Sequence, residues 1–310
     1  MLSDSALNFS ARGIVVRGAL TGGSPTCRLR SAIAITLVGG RPAPARAASN
    51  ASSAYAKAIV VEAGGALDLH AELYSPTWTR LAARAAAGDA WLFTQQHVNW
   101  EAGQTFIVTT TAVKDARDYS ETEERVIAEV RSLANGMGAL RFAPPLNFSH
   151  YAGAEYQAEV ALLSRRTTVA GAAADSPPTD AAAGLCAAPA AAAGQFSAGL
   201  PCADAHLTGY GGHIMVAGGA SAGRLSGVLL RRMGQTNYLA RYPFHMHMLG
   251  EGGRRSYISH SAVWQSYYRC VSIHGTNSSH VEANVAHDVV GYCYYLEDGV
   301  EENNTLAHNL

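Results

Sequence analysis

Three residues able to do chemistry recur near the end of the chain: His247, His274 and Glu297. His274 and Glu297 stand 23 positions apart, as do Cys270 with Cys293 and Ser261 with Asn284. The phrase VSIHGT (271–276) lines up on YYLEDG (294–299). Short apolar strands returning roughly every 20 to 25 residues are what one turn of a parallel β-helix requires. Equivalent positions on successive turns stack about 4.8 Å apart, so this spacing predicts His274 beside Glu297, with Asp298 at the edge. His247 precedes His274 by 27 positions and joins the column if GEGGRR (250–255) bulges out by the four extra residues (27 − 23). Side chains alternate along a strand, so His245 shares the face of His247.

A column of two imidazoles and a carboxylate can do three things. His247, His274 and Glu297 could ligate a divalent metal, because imidazole nitrogen and carboxylate oxygen suit transition ions. With Asp298 they could run acid–base catalysis, the carboxylate orienting the imidazole. They could also only hydrogen-bond one another and hold the coils in register. Arg241, Arg269 and His245 are candidates for binding an acidic substrate. Glu297 and Asp298 are adjacent and are predicted on opposite faces of a strand, a poor arrangement for a two-carboxylate glycosidase. His-assisted or metal-assisted chemistry fits the column better. Asn284 and Asn304 read as structural asparagines on coil turns. His150, His206 and His213 lack partners at ligand spacing, and Trp78, Trp91, Trp100 and Trp264 read as core before they read as sugar platforms.

The rest of the chain must supply the coils. ARGIVVRGALTGG, SAIAITLVGG, KAIVVEAGGALDLHAEL and QTFIVTTTAV are rich in Val, Ile and Thr and bounded by glycine turns, which predicts short strands. Gly88-Asp89 divides SPTWTRLAARAAAGDAWLF into two strands around a bend. Residues 116–135 carry both helical and strand character. Residues 41–56 read as a loop insertion. Residues 171–205, almost entirely small residues and proline, cannot bury enough surface to offset ordering entropy and are expected to be disordered. The expected organisation is an N-terminal β-rich domain over 1–112 and a parallel β-helix over 113–310 that carries this insert.

With 310 residues, 48% hydrophobic and 15% charged, and a formal net charge of -1, the chain offers no electrostatic reason to bind nucleic acid or an anionic membrane. No apolar run approaches the roughly 20 residues of a membrane span. The opening lacks a basic-then-apolar leader, so any secretory signal or anchor is expected outside this chain. The five cysteines lack C-x-x-C spacing, which argues against structural zinc. Cys186 and Cys202 flank the insert and either pair or remain free, while Cys270 and Cys293 lie in apolar runs and read as core fillers. Asn8, Asn50, Asn147, Asn277 and Asn303 begin N-x-S/T sequons. Chance would give about 1.5, so the excess points to a secreted or surface protein.

These phrases carry a resemblance. GGHIMV, RMGQ, RYPFHMHM, RCVSIHGT and VEANVAHDVVGYCYYLEDGVEENNTLAHNL resemble the β-helix region of the fibrocystin-L, transmembrane protein 2 and cell-migration-inducing hyaluronan-binding protein family. ARGIVVRGAL, AIVVEAGGALDLHAE, WTRLAARAAAGDAWL and VNWEAGQTFIVTTT resemble its eight-glycine (G-eight) domain. The resemblance implies an all-β fold, a right-handed parallel β-helix (solenoid) with an N-terminal eight-glycine domain, placed outside the cell or on its surface. It implies a glycan, matrix or surface-coat partner, and relatives that include hyaluronan depolymerases as well as a coat protein without established enzyme activity. Tyr292 and Gln265 stand where the family phrases carry histidine, which puts shared catalysis in question.

Three functions are therefore open: a glycan- or matrix-binding surface module, a hyaluronidase-like hydrolase or lyase built on the His/Glu column, and a truncated inactive paralogue. One expectation concerns the insert alone. Joining Gly171 to His206 through a short linker should leave the thermal midpoint nearly unchanged, because no apolar core is lost; a differential scanning comparison checks this.

Overall fold

The computed structural model of the protein describes residues 1–41, 55–113, 120–176, 209–236 and 238–310. Eighteen of its strands form three parallel six-stranded sheets (6 + 6 + 6). The chain visits the sheets in strict rotation. The first coil is Leu7–Ala11, Gly13–Val16 and Ala19–Gly22, and the last is Val285–Val289, Tyr294–Leu296 and Thr305–Ala307. Each strand hydrogen-bonds to the strand one coil away, which defines a parallel β-helix.

Alternation explains why these segments coil. In the second sheet, Ile14, Ile59 and Ile214 point inward in register, and Val16, Val61 and Val216 form the neighbouring row. Phe244 with Val271 and Met246 with Ile273 continue these rows. The inward residues form one continuous apolar core. Burying each such side chain contributes roughly 1.5–3 kcal/mol. The outward positions between them are free to carry polar groups.

The coil does not begin near residue 113, where the sequence organisation placed its start. It begins at Leu7, leaves the solenoid after His70 and returns at Thr167. The excursion forms an antiparallel six-stranded sheet from Trp78–Arg80 to Glu159–Leu162. Its two end strands meet through Ala82 N–H to Phe93 O (2.8 Å) and Gln95 N–H to Arg80 O (2.9 Å), so the sheet closes on itself around a separate core. Trp78 and Trp91 begin two separate strands around the Gly88-Asp89 turn, as the sequence suggested. The ambiguous segment 116–135 resolves as the strand Glu123–Ser132, whose first six residues alternate buried and exposed.

The excursion packs on the coils through a buried apolar cluster of Ile107, Ala161 and Leu163 with Leu229, Ala262, Trp264 and Val285, and polar contacts add to it. Trp264 Nε1 donates to Glu124 Oε1 (3.1 Å), and His287 Nε2 lies 3.0 Å from the same oxygen. Trp78 Nε1 donates to the His308 carbonyl (2.9 Å). Within it, buried Glu123 takes Arg125, His150 Nε2 (3.1 Å) and the amides of Asn147 and Phe148. His150 is therefore a satisfied structural histidine.

Two other expectations meet the structure here. The head of the Ala/Gly/Pro-rich insert is ordered, because buried Lys57 Nζ donates to Asp175 O (2.6 Å), Ser176 Oγ (2.9 Å) and Tyr210 O (2.9 Å), so joining Gly171 to His206 would strip this ammonium of two partners and lower stability, contrary to the sequence expectation. The remainder of the insert with Cys186, Cys202 and His206, and most of the 41–56 loop, lies outside the described residues. Cys270 and Cys293 are not independent core fillers: they are joined in a disulfide across two adjacent coils. The apolar surroundings of both residues concealed the pairing, although their separation of 23 is the coil period itself. The disulfide closes a loop of that length in the unfolded chain, so reduction, or Cys270→Ser with Cys293→Ser, should cost about 2–4 kcal/mol. Denaturant melts with and without reductant check this.

Candidate functional site on the outer face of the second sheet

The strand Phe244–Gly250 sends Phe244 and Met246 into the core and His245 and His247 outward. Its register on Val271–Thr276 pairs His245 with Ser272 and His247 with His274. The irregularity that accommodates the longer coil falls between His247 and Gly250, next to a short 3-10 turn at Glu251–Arg255. Val271, Ser272 and Ile273 pair in turn with Tyr294, Tyr295 and Leu296. The Glu297 amide donates to Ile273 O (2.9 Å), which sets Glu297 beside His274. The predicted column of His247, His274 and Glu297 is thus in register.

Glu297 is the hub. Its Oε2 accepts from Ser272 Oγ (2.9 Å) and lies 3.7 Å from His245 Nε2 and 4.0 Å from His274 Nδ1. Its Oε1 accepts from Tyr242 Oη (3.3 Å) and lies 3.9 Å from Arg269 Nη1. On the other side of the His274 ring, Nε2 is 3.2 Å from Asp298 Oδ2. Two carboxylates therefore bracket one imidazole. The expected placement of Glu297 and Asp298 on opposite faces does not hold, because the strand ends at Leu296 and alternation ends with it. The His247 ring packs edge-on against His274 at 4.9 Å between centroids and does not contact Glu297 by a hydrogen bond.

The candidate substrate binders divide. His245 is fully buried, enclosed by Tyr242 (4.9 Å), His247 (5.1 Å) and His274 (5.9 Å, stacked), so it cannot meet a substrate. Arg269 is also buried: its Nη1 donates to Tyr242 Oη (3.0 Å), and its guanidinium covers the Tyr295 ring at 3.8 Å. It is committed to the protein and not free for a sugar carboxylate. Arg241 alone stays available, half-buried near His247, its guanidinium without a hydrogen-bonded or ion-paired partner among the described residues.

Sequence reasoning missed Tyr242, Ser272 and Tyr295, and noted Tyr292 only as a departure from the family phrase. The same arithmetic reaches two of them: His245 plus 27 is Ser272, and Ser272 plus 23 is Tyr295. Tyr292 is 72% exposed and its ring lies nearly parallel to that of Tyr295, 6.1 Å away. The asparagines are structural, but in two columns. Asn284 Nδ2 donates to Asn309 Oδ1 (2.9 Å), whereas Asn304 Oδ1 accepts from Ser279 (2.7 Å).

Residues 209–310 match the CEMIP beta-helix family and residues 1–82 match the G8 domain. The chain thus carries a G8 match and a CEMIP β-helix match together. This chain is 38% identical over 311 residues to Protein rliB of Dictyostelium discoideum, matching 100% of this chain and 24% of that protein. It is 35% identical over 310 residues to Communication mutant protein F of the same organism, again 100% of this chain and 24% of that protein. Human fibrocystin-L is 32% identical over 279 residues, 82% of this chain and 6% of its own length. The chain thus spans about a quarter or less of these curated relatives. Among solved structures, the tailspike gp61 of Pseudomonas phage phi297 covers 94% of this chain and 38% of its own, with a TM-score of 0.27 and 11% identity. The G8 match covers the first two coils and the start of the excursion, and the CEMIP match covers the stretch that bears the His/Glu cluster.

Burial holds His245 well below the ordinary imidazole range, and neighbouring His247 adds to the effect. Burial also lowers His247, His70 and His260. These folded-state values lie below those of the unfolded chain, so the unfolded chain binds more protons as pH falls through the imidazole range. Stability should therefore fall as pH drops from about 7 to 5, by up to about 1.4 kcal/mol per pH unit for buried His245 and by less for the three less deeply buried rings, where solvent screens more. Urea melts of metal-free protein across this range check it, and His245→Asn should flatten the slope.

Proposed function

We propose that this chain is a secreted or cell-surface β-helix module that binds an acidic glycan along the outer face of its second sheet. The observation that carries the reading is exposed Tyr292, nearly parallel to half-buried Tyr295, beside the polar cluster of His274, Asp298 and Glu297. Sugar rings present apolar C–H faces that pack on tyrosine, with hydroxyls left for flanking polar groups. Arg241, the uncommitted guanidinium on the same face, would receive a sugar carboxylate. Arg269 backs the Tyr295 ring and fixes its plane.

Two further observations support the compartment. The Cys270–Cys293 disulfide belongs to an oxidising environment. The sequon asparagines Asn8, Asn147 and Asn303 are exposed. No helix among the described residues is long and apolar enough to cross a membrane.

A second reading, glycan cleavage, rests on a different observation: His274 lies between two carboxylates, an arrangement that can hold and pass a proton. The binding reading is tested by titrating the chain with hyaluronan oligosaccharides and with a neutral glycan of equal length. Binding to the acidic ligand alone is expected, weakened at least tenfold by Tyr292→Ala and by Arg241→Ala. Equal binding of both glycans, or affinity unmoved by either variant, would contradict it. Reducing-end release from the same samples, lost in His274→Ala, would add cleavage to binding.

A further inference from the structure

The Glu297 cluster contains a contradiction that hydrogen bonds alone do not resolve. His245 Nδ1 lies 3.2 Å from the Ala240 carbonyl. A carbonyl only accepts, so the ring proton sits on Nδ1 and Nε2 carries a bare lone pair. That Nε2 is buried without a hydrogen-bond partner, 3.7 Å from Glu297 Oε2. His274 repeats the pattern. Its Nε2 lies 3.2 Å from Asp298 Oδ2, and the tautomer with the ring proton on that side turns the Nδ1 lone pair toward Glu297 Oε2 at 4.0 Å. Two nitrogen lone pairs and a carboxylate oxygen thus converge with no proton between them. A cation at that point would turn three repulsive contacts into three bonds.

We propose that His245 Nε2, His274 Nδ1 and Glu297 Oε2 form a three-ligand site for a divalent transition metal of the zinc class. The donor atoms offered by these three residues all lie within 4.8 Å of one another. Zinc with ligand bonds of about 2.0–2.1 Å holds tetrahedral donors roughly 3.4 Å apart. The two measured separations to Glu297 Oε2, 3.7 and 4.0 Å, need to contract only by fractions of an ångström. Two nitrogens and one oxygen suit zinc and not calcium or magnesium, which take oxygen ligands.

The surrounding groups match what metal-bound histidines require. The other nitrogen of each ring faces an acceptor: His245 Nδ1 bonds the Ala240 carbonyl, His274 Nε2 lies 3.2 Å from the Asp298 carboxylate, and Ser272 fixes the Glu297 oxygen. Arg269 beside Oε1 works against a cation, and Asp298 behind His274 offsets it. The His274 side chain is 24% exposed, so the fourth coordination position opens toward solvent and would take water or an oxygen of a bound ligand. His247, expected as a ligand from the column, is replaced by His245, because the buried ring is the one whose free nitrogen points at Glu297.

The site does not rest on the glycan reading, and its test contains no glycan. The purified chain is stripped with chelator, dialysed, and titrated with Zn2+ by calorimetry, with elemental analysis of the product. One zinc per chain is expected. Co2+ in its place should show the intense visible absorption of a four-coordinate ion. His245→Ala risks misfolding because the ring is buried, so the decisive variant is Glu297→Gln, which keeps shape and hydrogen-bonding capacity. It should weaken zinc by at least 100-fold, and Asp298→Asn by about 10–100-fold. His280→Ala, on another sheet, should change nothing. No zinc uptake by folded chain would overturn the assignment. So would uptake that survives Glu297→Gln, which would place the ion on free thiols or another surface site.

Discussion

The structure depends on the parallel register between neighbouring coils. Once Phe244 sits on Val271 and Val271 on Tyr294, every outward position is determined, and His245, Ser272, His274 and Glu297 meet without any local sequence motif joining them. A slip of one residue would send each to the other side of the sheet. The inward rows of Ile, Val, Phe and Met oppose such a slip, because it would move the whole apolar row into water. The disulfide between Cys270 and Cys293 fastens the same two coils immediately before the strands that carry the cluster.

The cluster is polar in a place where burial penalises charge. Tyr242 and His245 are fully buried, and burial and the nearby Glu297 push the Tyr242 phenol well above its ordinary range while His245 is held neutral. The neutral His245 ring beside the Glu297 carboxylate, with Arg269 on one side only, leaves an environment in which an added cation gains more than it would in water. The exposed edge, by contrast, is aromatic and solvent-facing at Tyr292. One face thus combines a buried polar centre with an open platform.

Much of this was legible in the sequence. The spacings of 23 and 27 gave the column and, extended by the same sums, would have given Ser272 and Tyr295. The antiparallel excursion was not legible, because Val, Ile and Thr between glycine turns look alike in parallel and antiparallel strands. QTFIVTTTAV and ARGIVVRGAL read identically and fold into different sheets. His245 was misplaced as a substrate contact because alternation reports the face and not the cover, which here comes from rings on other coils and on the approach to the strand. Asp298 was misplaced because the end of a strand is invisible to a period-two argument.

The claim beneath all of this is that residues one coil apart touch across the register. A double-mutant cycle on His274 and Glu297 in metal-free protein measures it directly, comparing denaturant stabilities of the parent, His274→Ala, Glu297→Gln and the double variant. The account predicts a coupling of about 0.5 kcal/mol or more between positions 23 residues apart. Additive effects, agreeing within about 0.3 kcal/mol, would mean that the two side chains do not interact and would contradict it.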